Sequence, residues 1–108
     1  MPRPRKRRML TREPKPAIYK PAGVPLNSLT LVRLLQEELE ALRLADLEGL
    51  NQFDAAARMG ISRSTFQRIL TRARRQVSLA LAEGHALSID GGTFDVSLPP
   101  AQHGRRRP

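Results

Sequence analysis

Residues 52–69 read QFDAAARMGISRSTFQRI and carry the strongest structural signal in the chain. Asn51 precedes this stretch and Ser62 lies within it, and both residue types commonly cap the N-terminus of a helix. Gly60 separates the two helices that these caps predict, and it tolerates the positive φ of a tight turn. Ala56 offers the small side chain that a steep helix crossing requires. The spacing therefore predicts a helix-turn-helix.

The apolar residues of this region fit that prediction. If the first helix ends near Met59 and the second runs to about Ala82, the contacts between them involve only apolar residues: Ala55, Met59, Ile61, Phe66 and Ile69. At about 100° per residue, the second helix also has one apolar face. We expect this face to be buried, and it contains Phe66, Ile69, Leu70, Ala73, Val77, Ala80 and Leu81.

The opposite face of the second helix is cationic and rich in small hydroxyls. It contains Ser64, Arg68, Thr71, Arg72, Arg75 and Ser78, and between Ser62 and Glu83 there are five arginines against one acid. A basic face that only contacts solvent is the simpler alternative. A uniformly basic face, however, is typical of a recognition helix, so we expect residues 63–82 to enter the major groove of double-stranded DNA.

Position along this helix predicts which side chains contact bases and which contact phosphates. The first two turns reach deepest into a groove, so the candidates for base edges are Arg63, Ser64, Gln67 and Arg68. Residues further out or on neighbouring segments are expected to contact the DNA backbone. These are Gln52, Thr65, Arg72, Arg75, Arg3, Arg5 and Lys6.

The composition agrees with a polyanionic partner. The net charge is +9 and the isoelectric point is about 11.5, which favours nucleic acid or an anionic membrane surface. No apolar run is long enough to span a membrane, and the basic start leads into no secretory signal. The chain has no cysteine, which fits the cytoplasm. We therefore predict a cytoplasmic, nucleoid-associated protein without a membrane partner.

Four regions are predicted, and together they form a mainly α fold. Residues 1–28 are expected to be an extended, basic, proline-rich arm, and residues 29–83 the helix-turn-helix domain. Within that domain, Glu37, Glu38 and Glu40 suit a helix N-terminus and Gly49 its C-terminal cap. The sequence leaves open whether residues 29–35 extend this first helix or form a separate turn.

The C-terminal part of the chain predicts a small hairpin and a tail. Around Gly91 and Gly92, a two-residue turn would place Ile89 opposite Phe94 and Leu87 opposite Val96. We therefore expect a β-hairpin over residues 84–97, and a disordered basic tail over residues 98–108.

Several segments carry a resemblance to a known family. They are RPRK (3–6), YKPAGVPL (19–26), EALRLADLEGL (40–50), AARMGISRSTFQRIL (56–70), ARRQV (73–77) and ALSIDGG (86–92). In them the chain resembles a small bacterial and archaeal family of uncharacterised, predicted DNA-binding proteins. Its helix-turn-helix is similar to region four of sigma-70-type factors. The resemblance implies sequence-specific DNA binding. The chain departs from it at Leu35 and Gln36, where a Thr-type cap is expected, and in lacking a cysteine in the basic N-terminal segment.

The predicted function is that of a small transcriptional regulator rather than an enzyme. His85 and His103 are the only histidines, and no nucleophile, metal-ligand cluster or phosphate-binding glycine loop is recognisable. We expect no catalytic residue, metal or cofactor. The alternatives are an RNA polymerase-associated, sigma-like factor and a non-specific nucleic-acid-binding protein. A homodimer is a further expectation, because the hairpin could offer an edge strand for pairing.

Overall fold

Three helices and five short strands make up residues 7–96, the part of the chain that the computed structural model describes. The helices are α1 (Gln36–Leu42), α2 (Gln52–Arg58) and α3 (Arg63–Glu83), and a π-helical turn, Arg43–Leu47, continues α1. The strands are β1 (Arg8–Leu10), β2 (Ala17–Tyr19), β3 (Leu31–Leu34), β4 (Ala86–Ile89) and β5 (Phe94–Val96). A 3-10 turn, Leu26–Ser28, precedes β3. The fold is mixed α/β, so the prediction of a mainly α fold is wrong.

The strands form two separate sheets. In the larger one, β4 lies in the middle, antiparallel to β2 and parallel to β3, whereas β1 and β5 form a parallel pair. Strand β3 alternates between exposed and buried positions, with Val32 and Leu34 buried. This two-residue period suits a strand that packs one face on a core. Residues 31–34 are thus neither an extension of α1 nor a turn, the two possibilities that the sequence suggested.

The predicted hairpin over residues 84–97 is also wrong. The carbonyl of Gly91 accepts the backbone N–H of Gln36 at 3.1 Å, and the N–H of Thr93 donates to the Glu37 carboxylate at 3.1 Å. The chain therefore crosses the N-terminus of α1 between β4 and β5 instead of reversing. Glycine is needed here because a Cβ at position 92 would lie 1.9 Å from a Glu37 carboxylate oxygen.

Strands β4 and β5, which were expected to pair with each other, pair with other strands instead. In the larger sheet Ile89 lies opposite Ala17 and Leu34, and Leu87 lies opposite Tyr19 and Val32. In the smaller sheet Phe94 lies opposite Arg8, and Val96 lies opposite Leu10. Within residues 7–96, β4 has a neighbour on each side, whereas β5 pairs only with β1, so the expected homodimer stays a prediction.

The N-terminal segment is part of the folded body from residue 7 onward. Arg8 and Leu10 are buried, and the N–H of Met9 donates to the carbonyl of Met59 at 2.9 Å. The extended arm predicted for residues 1–28 is therefore wrong for residues 7–28. Pro14, Pro16, Pro21 and Pro25 lie between β1, β2 and the 3-10 turn, where no ladder hydrogen bond is lost. Residues 1–6 and the predicted tail, residues 98–108, lie outside the described residues.

The acidic residues of α1 hold distant segments in place. Glu37, Glu38 and Glu40 are all buried. Glu38 accepts a hydrogen bond from its own helix N-terminus, at Leu35, and forms an ion pair with Arg72 of α3. Glu40 accepts hydrogen bonds from Thr11 and Arg43.

Glu40 stays ionised despite its burial. Burial by itself raises the pKa of the Glu40 carboxyl, but the hydrogen bonds from Arg43 and Thr11 outweigh it and leave the pKa below its usual value. Its partner Arg43 has a raised pKa, chiefly because of the hydrogen bond to Glu40. The Glu40–Arg43 pair therefore holds Thr11, which follows β1, against α1.

The core lies where α3 meets α1, α2 and the larger sheet. One cluster of buried residues joins the helices and contains Ala41, Leu44, Ala55, Ala56, Met59, Phe66 and Leu70. A second joins α3 to the sheet and contains Leu34, Ala73 and Ile89. Ile61 and Ile69 are partly buried against the first cluster, so the predicted contacts between the two helices are confirmed. Leu81 is 78% exposed, and its assignment to the buried face is wrong.

No helix within residues 7–96 is long and apolar enough to cross a membrane.

The packing of α2 on α3 predicts a difference between two neighbouring alanines. Ala56 is buried at the contact between the helices, whereas Ala57 is exposed. Ala56→Leu should lower the free energy of unfolding by about 1–3 kcal/mol, because the contact cannot accommodate a larger side chain. Ala57→Leu is the control and should change it by less than about 0.5 kcal/mol. Urea denaturation measures both, and equal stability of the two variants would contradict the packing.

Candidate nucleic-acid interface

The start of α3 is fixed by caps and a glycine turn. The Asn51 side chain accepts the N–H of Asp54 at 2.8 Å and opens α2, and Ser62 Oγ accepts the N–H of Thr65 at 3.1 Å and opens α3. Between the helices, Gly60 has a φ of +66°, a conformation that favours glycine. Both predicted caps and the predicted turn are confirmed. Helix α3 therefore begins a few residues after α2 ends.

The exposed face of α3 gathers the predicted base-contacting side chains. Arg63, Ser64, Gln67 and Arg68 are all exposed on the first two turns. The same face continues along the helix through further exposed residues, namely Thr71, Arg75 and Ser78. The other face carries Phe66, Leu70 and Ala73, which are buried. One side of the helix is thus held in the core while the side with these polar groups contacts solvent.

Arg63 is oriented by an aromatic neighbour that the sequence analysis did not single out. Its guanidinium carbon lies 4.8 Å from the centre of the Phe53 ring, which is the geometry of a cation–π interaction. Phe53 belongs to α2 and is 68% exposed. Its only signal in the sequence is a large aromatic residue two positions after a helix cap. The pair joins the first turns of the two helices on the surface.

Two of the residues predicted to contact the DNA backbone form contacts within the protein. Thr65 is half-buried, and its hydroxyl lies 2.9 Å from Ser62 Oγ. Arg72 forms its ion pair with Glu38. Gln52 is half-buried at the start of α2, whereas Arg75 is exposed and makes no ion pair with any residue between 7 and 96. The others, Arg3, Arg5 and Lys6, lie outside the described residues.

The positive charge on α3 is partly neutralised at its flanks. Arg74 forms an ion pair with Asp46 in the π-helical turn, and its hydrogen bond lowers the pKa of the Asp46 carboxyl. Arg72 is paired as described above. Within the described part of the chain, the other three arginines of α3, Arg63, Arg68 and Arg75, make no ion pair. The uncompensated charge therefore lies on the exposed face.

A cleft beside this face is lined by a buried arginine, Arg8. About 450 Å³ in volume, it lies between β1, the start of α1 and α3, and Arg8, Arg68 and Arg72 share it with Glu37 and Glu38. Arg8 was not among the predicted site residues, because a residue in a run of arginines gives no sign of being buried. Among residues 7–96 no group of histidines, aspartates and glutamates could hold a metal ion.

Comparisons with known proteins place the chain among uncharacterised proteins. The sequence pattern of a family described as "Protein of unknown function DUF134" matches residues 1–97. A UPF0251 protein of Dehalococcoides mccartyi is 54% identical over 100 residues, covering 93% of this chain and 86% of its own length. A UPF0251 protein of Rhodospirillum rubrum is 49% identical over 114 residues, covering 100% and 80%.

A UPF0251 protein of Methanosarcina acetivorans is 50% identical over 92 residues, which covers 85% of this chain and 82% of that protein. The family thus extends across bacteria and archaea, as the resemblance implied. None of these descriptions mentions DNA or a sigma factor, so those two parts of the resemblance stay predictions. No solved structure matches the chain.

The cap at Ser62 predicts a specific loss of stability. Ser62→Ala removes the acceptor of the Thr65 N–H and should lower the free energy of unfolding by about 1 kcal/mol. Ser78→Ala is the matched control, because Ser78 is exposed in the middle of α3 and alanine favours a helix there. Thermal unfolding followed by circular dichroism measures both. An equal effect of the two substitutions would contradict the role of Ser62.

Proposed function

The chain belongs to the DUF134 family of proteins of unknown function, and we propose that this member binds double-stranded DNA sequence-specifically. In this proposal α3 lies in the major groove and the protein acts as a small transcriptional regulator. The observation that carries it is the exposed face of α3, where three uncompensated arginines accompany Ser64 and Gln67. The helix that presents them is fixed by its cap and by the core, so the side chains project from a rigid element.

The chemistry of this face matches that of base edges. The major groove admits an α-helix, arginine can donate two hydrogen bonds to guanine O6 and N7, and glutamine can pair with adenine N6 and N7. Arg63, Gln67 and Arg68 supply these groups on adjacent turns. The contact of Arg63 with Phe53 supports the proposal further, since it limits the rotamers of that arginine before DNA binds.

The overall charge supplies the non-specific part of the affinity. With a net charge of +9 the protein attracts a polyanion. Arg75 lies further along α3 and suits contact with phosphates, which position a protein without reading sequence. A purely non-specific binder would need this charge alone. Sequence-specific and non-specific binding therefore differ in how single arginine substitutions change the affinity for cognate and for random DNA.

Replacement of arginines in the first turns tests the proposal. Arg63→Ala or Arg68→Ala should weaken binding to a selected site by about 1–3 kcal/mol and relax preference at one base pair. Arg33→Ala is the control, because Arg33 is an exposed arginine of β3 and its loss changes the net charge equally. Fluorescence anisotropy with selected and random duplexes measures all three variants.

The contradicting result is a uniform loss. If Arg63→Ala and Arg68→Ala weaken binding to selected and random duplexes equally, and no more than Arg33→Ala does, the face of α3 does not read bases.

The N-terminal basic residues predict a change in salt dependence. Arg7 forms an ion pair with Asp95 and Arg8 is buried, so a deletion that leaves these contacts intact ends at residue 6. Removing residues 2–6 deletes Arg3, Arg5 and Lys6. If each of them neutralises a phosphate, the slope of log affinity against log salt should flatten by roughly 2–3 units, about 0.9 for each. Base preference should be unchanged.

A second variant separates charge from chain length. Replacing Arg3, Arg5 and Lys6 by glutamine keeps every residue position and should flatten the slope to the same extent. An unchanged slope in both variants would show that the arm makes no contact with DNA.

A further inference from the structure

A second cavity lies away from the exposed face of α3. It is a groove of about 820 Å³ between the segment that follows β1 and the side of α1, and no residue of α3 lines it. Its apolar surface comes from Leu10, Leu42 and Ile89, which are buried or half-buried, and from exposed side chains at its rim, Tyr19, Leu39 and Leu47. Its volume lies within the usual range of small-molecule sites.

Two of the three acidic groups of the groove are neutralised within the protein. Glu40 is paired with Arg43, and Asp46 is paired with Arg74. The remaining acid, Glu13, is also engaged in an interaction. Arg12 and Lys15 line the same groove, are exposed, and make no ion pair with any residue between 7 and 96. The charge left available to a ligand at this groove is therefore positive.

One buried polar group of the groove lacks a hydrogen-bond partner. Gln36 lines the groove and is 5% exposed, and its side-chain nitrogen has no acceptor among the described residues. A buried donor without an acceptor costs free energy, and that cost is recovered when an acceptor arrives. This nitrogen has almost no accessible surface, so a ligand oxygen in the groove supplies the acceptor once the Gln36 side chain turns toward the groove. The groove thus combines apolar walls, uncompensated positive charge and an unused donor.

We infer that this groove binds a small apolar carboxylic acid. The hydrocarbon part lies against Leu39, Leu47 and Tyr19, and the carboxylate accepts a hydrogen bond from Gln36 and is balanced by Arg12 and Lys15. The inference is independent of DNA binding, since it rests on other residues and its test contains no DNA.

The aromatic composition of the chain provides a specific probe. Tyr19 is the only tyrosine and there is no tryptophan, so tyrosine fluorescence of the full chain reports on this groove. Titration with octanoate should give a saturable change in fluorescence. Octylammonium and 1-octanol share the hydrocarbon chain but lack the negative charge, and both should bind at least about tenfold more weakly, a difference of about 1.4 kcal/mol.

Variants of the groove test the assigned groups. Arg12→Gln combined with Lys15→Gln should weaken octanoate binding about fivefold, a modest effect because exposed charges are screened by water. Gln36→Leu should also weaken it, with the melting temperature measured to establish that the variant is folded. Lys20→Gln is the matched control, because Lys20 does not line the groove, and it should leave octanoate binding unchanged.

Two results would overturn the inference. One is the absence of any saturable change with octanoate. The other is equal binding of octanoate, octanol and octylammonium that the Arg12 and Lys15 substitutions do not alter, since this would show only non-specific apolar adsorption.

Discussion

Three buried carboxylates on one short helix determine how the chain is arranged around α1. A buried charge is costly unless a donor satisfies it, and each of these glutamates has its donor on another segment. Glu37 accepts from Thr93 before β5, Glu38 pairs with Arg72 of α3, and Glu40 accepts from Thr11 after β1. The N-terminal segment, α3 and the C-terminal strand are therefore all fastened to α1 through charge.

This arrangement also determines what α3 presents to solvent. Ion pairs with Glu38 and Asp46 hold Arg72 and Arg74 against the body of the protein. The apolar face of the helix is covered by α1, α2 and the larger sheet. What stays exposed is the row that begins with Arg63 and Ser64 and continues to Ser78. The apolar contacts that stabilise the fold and the exposed residues of the proposed interface thus lie on opposite sides of one helix.

Short-range sequence patterns predicted part of this structure. The parts that depend on contacts between distant residues were not predicted. The caps at Asn51 and Ser62 and the apolar period of α3 act within a few residues, so α2, the turn and α3 could be read from the sequence. The strands have only three or four residues and pair with partners up to 86 positions apart, as Arg8 does with Phe94. No local pattern encodes such pairing, and the two glycines after β4 resembled a hairpin turn because their contacts with α1 are also non-local.

Selection of bound duplexes from a random DNA pool by the full chain tests the central claim most directly. If the exposed face of α3 reads base edges in the major groove, repeated rounds should enrich one short consensus that contains guanine or adenine at the positions contacted by arginine or glutamine. Retention of DNA without enrichment of any sequence would contradict this account, because the charge of the protein alone would then explain binding.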